Sequence, residues 1–309
     1  MKNLKIIVTV DTEGDNLWEW EEGKKIETNN ASFLLPFQKL CEKYKFYPVY
    51  LTNYEMVMSD VFVQFAKENL NKNTCEIGMH LHAWNSPPEY QLEKKYKGNP
   101  YIIEYPFDVI KEKHITLKEL IEKRIGVSPV SYRSGRWATS EKLFDVLQDI
   151  GILVDCSVTP GIYHKSPGCQ IEHANDYRKA QTTPYRLREN MIEVPMTTRL
   201  HRTIAGKTLY RRFVNIIRGE QLWLRPALQS EYEMNQLIKL VINENSDYLM
   251  FMIHSSELMP GGNPYCRTDA EVQNLLTKLD NVFSFVSRFG EGTMLKDYYY
   301  EFVNEEGQP

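Results

Sequence analysis

The chain has 309 residues, 42% of them apolar and 25% charged, with a formal net charge of −4. That length suits one large α/β domain or two small ones, and the composition is that of an ordinary globular protein. The slight acidity gives no reason to expect nucleic acid as a partner, and no run of eighteen apolar residues is present to span a membrane. The cysteines (Cys41, Cys75, Cys156, Cys169 and Cys266) are odd in number and lack short-range pairing. This pattern predicts a reducing, cytoplasmic setting rather than a disulfide framework. The first apolar stretch meets Asp11 too early for a signal segment and reads as a strand.

Short β-rich runs alternate with segments of helical period, which predicts βα units around a mainly parallel sheet. A strand over 4–11 is followed by an amphipathic helix over 31–44, with Phe33, Leu34, Phe37, Leu40 and Cys41 on one face. A strand over 46–52 contains Pro48; a helix over 54–69 and a strand over 75–82 come next. After a polar, proline-containing insertion the pattern gives a helix over 107–124, a strand over 131–134, a helix over 140–150 and a strand over 152–158. The region 159–228 is irregular apart from a strand at 192–196, and it carries a basic stretch over 199–225. A helix over 230–244, a strand over 248–256, a helix over 268–289 and a short helix over 295–303 complete the chain. No internal repeat or linker divides it, so residues 1–309 are expected to form a single domain with an elaborated middle.

Four apolar runs end in ionisable clusters: IIVTVDTE, EIGMHLH, VSYRSGR and YLMFMIHSSE. In barrels of alternating strands and helices, reacting groups sit at the C-terminal strand ends. There the runs would bring Asp11, Glu13, His80, His82, Arg133 and His254 to one face. Asp11 and Glu13 stand at i and i+2, on the same side of a strand. Two such carboxylates repel unless a cation lies beside them; alternatively they belong to an acidic turn before Gly14. His80 and His82 repeat the spacing and can reach one Zn²⁺, although His-x-His also occurs on plain edge strands. Arg133 can form a bidentate pair that holds a carboxylate ionised, or it can meet any surface acid. Trp137 can stack on a sugar ring or fill a gap in the core. His254 suits a general acid, or a hydrogen-bonded core position. The arginines of 199–225 suit a diphosphate or anionic lipid, a peripheral membrane contact, or simply a solvated helical face.

VDTEGD, EIGMHLH, SYRSGRW, VDCSV and FMIHSSEL, in this order, resemble the motifs of the polysaccharide deacetylase family (NodB-like, related to carbohydrate esterase family 4). The resemblance implies a distorted (β/α)7 barrel related to the TIM barrel and a divalent metal cofactor, Zn²⁺ foremost. It makes Asp11 the catalytic base, Arg133 its tether and His254 the acid that protonates the leaving amine. Glu13, His80 and His82 become the metal ligands, and Asp155 orients its neighbours. Trp84, Arg136, Trp137, Asp155 and Glu257 are the expected substrate-side residues. The chain departs from the common pattern by placing Glu13 one residue beyond an adjacent-aspartate position and by spacing its histidines as His-x-His, with Trp84 beyond them. In that form, and in its HSSELMPGGNPY tail, it resembles a divergent branch encoded among cell-surface polysaccharide genes. The implied reaction removes an N-acyl (acetyl) group from a sugar, and the cytoplasmic setting expected above points to one that is nucleotide- or lipid-carrier-linked. The alternatives are an O-acyl esterase or other C–N hydrolase, and an inactive glycan-binding relative that uses Trp18, Trp20, Trp84 and Trp137.

Overall fold

The computed structural model describes residues 4–15, 17, 24–92, 99–165, 169, 171, 175–202, 208–209 and 219–306. Its strands are β1 (Leu4–Thr12), β2 (Val49–Thr52), β3 (Glu76–Leu81), β4 (Ser131–Ser134), β5 (Val154–Asp155), β6 (Tyr185–Arg188), β7 (Met191–Glu193), β8 (Thr198–His201), β9 (Glu220–Trp223), β10 (Tyr248–His254) and β11 (Gly290–Gly292). The helices are α1 (Leu34–Lys43), α2 (Tyr54–Met58), α3 (Asp60–Asn71), α4 (Phe107–Arg124), α5 (Glu141–Asp149), α6 (Glu231–Asn243), α7 (Asp269–Val286) and α8 (Leu295–Glu306).

The main sheet runs β10-β1-β2-β3-β4-β5-β7-β6, and its first seven strands pair in parallel. β6 adds an antiparallel edge to β7, and β8 and β9 form a separate antiparallel pair. The sheet curls into a distorted (β/α)7 barrel. On the far side of the curl, side chains and loops replace a ladder. Met250 N donates to Thr197 Oγ1 at 2.8 Å, and Met252 N donates to Leu224 O at 2.9 Å.

The two faces of each strand follow the period of two. Ile6, Val8 and Val10 of β1, Ile77, Met79 and Leu81 of β3, and Leu249, Phe251 and Ile253 of β10 pack outward, in one cluster with the helices. Ile7 of β1, Val49 and Leu51 of β2, and Tyr248, Met250 and Met252 of β10 face inward. Met294, just before α8, and Leu295, Tyr298 and Tyr299 of α8 belong to the same inner cluster and seal it near the strand N-termini. Continuing each inward series toward the C-terminal end leads to Asp11, His80, Arg133 and His254. Gly78 is needed on this face, because a Cβ there would run into the Ser131 hydroxyl and the Leu51 side chain.

Several boundaries differ from expectation for local reasons. The helix expected over 54–69 divides at Ser59, whose extended backbone (φ −78°, ψ 118°) ends α2 and starts α3. The strand expected over 152–158 forms a ladder only at Val154–Asp155, and the one over 192–196 only at Met191–Glu193. His254 ends β10, and Ser255–Leu258 turn into a 3-10 helix instead of extending the strand. β6, the hairpin β8–β9 and the short β11 lie where no strand was expected.

Candidate metal centre and active site

β1 ends at Thr12, which places Asp11 inside the barrel and Glu13 just beyond the ladder, both buried. Glu13 Oε2 lies 3.0 Å from His82 Nε2 and 3.4 Å from His80 Nε2, and the two imidazole nitrogens are 3.2 Å apart. Ligands about 2.0–2.1 Å from a tetrahedral Zn²⁺ stand about 3.3 Å from one another, so this triangle has the size such an ion requires. His80 Nδ1 is 2.9 Å from the Arg133 carbonyl oxygen. Only a protonated Nδ1 can bond there, which turns the lone pair of Nε2 toward Glu13 and His82. The His82 ring packs against Gly135, where a Cβ would come within 2.6 Å of Nδ1. The donor set therefore fits a divalent ion, and Glu13, His80 and His82 are the residues that would hold it. Among the described residues they are the one group of three or more such donors within 4.8 Å of one another.

Glu13 is also held by its backbone. Its N–H donates to Ser255 Oγ at 3.1 Å, and its carbonyl accepts from Ser255 Oγ at 3.1 Å and Asn30 Nδ2 at 2.8 Å. The second N–H of that amide donates to Asp15 Oδ1 at 2.6 Å. Neither Ser255 nor Asn30 could be assigned a role from the sequence, since a bond to a backbone group leaves no motif.

Asp11 Oδ1 accepts from Arg133 Nη1 at 2.6 Å. The pair is single rather than the expected bidentate fork. Arg133 spends Nε on Cys156 O at 3.0 Å, and directs Nη2 at the sulfurs of Met196 and Met250, 3.0 and 3.4 Å away. Burial by itself would raise the Asp11 carboxyl, but Arg133, with His80 and His254, outweighs it and holds the group below its ordinary value. Glu13 is likewise pushed up by burial and pulled further down by its bonds to His80 and His82.

His254 stands opposite, in register with Asp11. Its Nε2 is 4.0 Å from Asp11 Oδ2 and 3.9 Å from Glu13 Oε1. Its Nδ1 lies 3.2 Å from Glu257 Oε1 and 3.3 Å from Arg225 Nη2. Glu257 is fully buried; burial raises its carboxyl, and the His254 bond and Arg225 more than reverse this. Arg225 was expected within a phosphate-binding or solvated stretch, yet it is only 8% exposed and lies over Trp223 and Tyr265 beside His254 and Glu257. Arg199 of the same stretch is tied to Glu244 at 2.7 Å, whereas Lys207, Arg211, Arg212 and Arg218 lie outside the described residues, as do Trp18 and Trp20.

The expected substrate-side residues divide into a rim and a foundation. Trp84 stands beside His82, with ring centroids 5.6 Å apart. Arg136 and Trp137 both adopt positive φ (55° and 61°), a conformation that costs about 1–3 kcal/mol per non-glycine residue. Their carbonyls are held by Asn175 Nδ2 at 2.7 Å and Tyr177 OH at 2.5 Å. The strained turn sets Trp137 parallel to His164 at 5.6 Å and beneath the Arg133 guanidinium at 5.3 Å. Arg136 is bound instead to Asn99 O and Pro100 O and stacks on Tyr101. Asp155 sits below the rim, fully buried, accepting from Ser157 Oγ at 2.6 Å beside its register partner Glu193. Burial raises both of these carboxyls, and each feels the other.

No family model and no curated protein matches the sequence. Solved structures do. A Mycobacterium smegmatis protein assigned as a polysaccharide deacetylase superimposes with a TM-score of 0.57 at 11% identity, covering 100% of this chain and 93% of its own. The chain has the polysaccharide deacetylase fold. Puue allantoinase shares it with a TM-score of 0.54 at 12% identity over 99% of this chain and 91% of its own. The 4-alpha-glucanotransferase of Thermococcus litoralis does so at 0.56 and 11%, covering 98% of this chain but 41% of that longer one. One deacetylase-type barrel thus serves several chemistries, and the reaction has to be argued from the site.

Proposed function

We propose that the chain is a metal-dependent hydrolase that removes an N-acyl group, acetyl foremost, from a sugar in cell-surface polysaccharide synthesis, acting in the cytoplasm on a nucleotide- or lipid-carrier-linked substrate. The observation that carries this reading is the triangle of Glu13, His80 and His82 at Zn²⁺-sized spacing, flanked by Asp11 on one side and His254 on the other. When bound, a divalent ion would supply Lewis acidity to the acyl carbonyl and bring a water's pKa to about 7, which narrows the gap to a carboxylate base.

Asp11 accepts the water's proton, and Arg133 keeps it ionised and aimed. The oxygen adds to the acyl carbon, the C–N bond breaks, and His254 Nε2 delivers a proton to the departing nitrogen. Glu257 and Arg225 fix the imidazole from its Nδ1 side. An acid in this position favours an amide over an ester, because an amine leaves poorly unless protonated. Trp84 and Trp137 offer flat faces for the sugar ring.

The test pairs elemental analysis of the purified chain with acetate release from N-acetylated and O-acetylated sugars, with and without added Zn²⁺. Stoichiometric metal and metal-dependent acetate release from the amide are expected. A chain that binds no divalent ion, or binds glycans without turnover, would instead be an inactive relative.

A further inference from the structure

β2 ends between the two strands that carry the metal-directed groups. Thr52 is in register with Thr12 on one side and Met79 on the other, the residues immediately before Glu13 and His80. Asn53 N donates to Thr12 O at 3.0 Å, and the Asn53 side chain caps α2 by accepting from Met56 N at 3.2 Å. Glu55, in the first turn of α2, follows Asn53 by two residues; burial raises its carboxyl to about 8, the Glu13 charge adds to this and His80 opposes it. It is not one of the groups whose donor atoms lie within 4.8 Å of one another, so it is not a fourth ligand. Its carboxyl accepts from its own backbone N–H, which accounts for its place at a helix start. Its Oε2 has no such explanation: it is sealed from water and has no hydrogen-bond partner. An unpaired buried carboxyl oxygen costs stability, and keeping one beside a metal-directed centre fits a group that pairs with a ligand.

We propose that Glu55 is a substrate-contacting residue of this centre, with Oε2 accepting from a hydroxyl or amide N–H of the acylated sugar. The inference rests on the hydrolase reading above. Acetohydroxamate, a small acyl-like chelator with both N–H and O–H groups, serves as the probe. Zn²⁺ binding and then acetohydroxamate binding are measured calorimetrically on the parent chain, Glu55→Gln and Glu55→Leu. Gln keeps an acceptor oxygen, whereas Leu keeps the volume without one.

Zn²⁺ affinity is expected to agree within about threefold across all three chains. Acetohydroxamate affinity should stay within about threefold of the parent in Glu55→Gln and fall about tenfold or more in Glu55→Leu. The metal-free Glu55→Leu chain should melt no lower than the parent, as expected when a functional orphan is removed. A purely structural Glu55 would give the opposite pair, a lower melting temperature with acetohydroxamate binding unchanged, and that would overturn the proposal. Loss of Zn²⁺ affinity in a folded Glu55→Leu chain would also overturn it, by making Glu55 a ligand. If Glu55→Leu does not fold, Glu55→Ala carries the same comparison. A parent chain that takes up no Zn²⁺ fails the hydrolase reading itself, and this inference with it.

Discussion

Asp11 and Arg133 form a buried ion pair in which neither charge is safe without the other. Asp11→Asn leaves the guanidinium between two methionine sulfurs and a carbonyl, with no anion against it. Stranding one member of such a pair costs about 3–5 kcal/mol, while replacing both by apolar groups is often neutral. Asp11→Asn is therefore expected to lower acetate release about 10²–10⁴-fold and to destabilise the chain in urea. An Asp11→Asn, Arg133→Met double variant should regain much of the stability and none of the activity; recovery of activity would remove Asp11 from the base role. Ser255 makes a second residue-scale prediction. Its hydroxyl bonds both the N–H and the carbonyl of Glu13, so Ser255→Ala should weaken Zn²⁺ binding about 10–100-fold, as losses of ligand-supporting bonds do. Calorimetric titration with Zn²⁺ checks it.

At the scale of elements, the barrel keeps stability and chemistry at opposite ends. α8 places Leu295 and Tyr298, with Met294 just before it, in one cluster with Ile7 and Tyr248 toward the strand N-termini, away from Asp11 and His254. Leu295→Ala empties a fully buried site and should cost about 2–5 kcal/mol in urea unfolding. Zn²⁺ affinity should be untouched, and a parallel fall in both would mean that the two ends are mechanically linked. The division of the 54–69 segment at Ser59 matters for the same reason. By turning the chain there, it sets α2 as a separate short piece over the strand ends and keeps Glu55 beside the centre.

For the whole molecule, buried carboxyls pull stability against pH in two directions. Asp11, Glu13 and Glu257 have lowered folded pKa values. Their contribution is present above the ordinary carboxylate range, about 3.9–4.3, and is lost as pH falls through the folded values. Asp155 and Glu193 are raised. Their neutral forms are favoured by the fold, so stability grows as pH falls through their folded values toward the unfolded ones. Melting temperatures of the metal-free chain should therefore drop below about pH 4. Zn²⁺ at 100 times its Kd should add about 2.7 kcal/mol near neutral pH, and much less in acid, where the imidazoles and Glu13 bind protons instead. A melting temperature indifferent to Zn²⁺ at pH 7 would count against the centre.

The sequence by itself determined the βα alternation, the inward phase of each strand and the chemistry at the strand ends. A period of two carries Asp11, Glu13, His80, His82, Arg133 and His254 to one end of one face whatever the helices do. Pattern could not decide partnerships. The single bond from Arg133 to Asp11, the hold of Ser255 and Asn30 on Glu13, the burial of Arg225 against Glu257 and the sealed oxygen of Glu55 join residues from 17 to 242 positions apart or depend on what surrounds them. Only closure of the curled sheet brings those groups within hydrogen-bond range, because distance between strand ends is a property of the barrel and not of any segment in it.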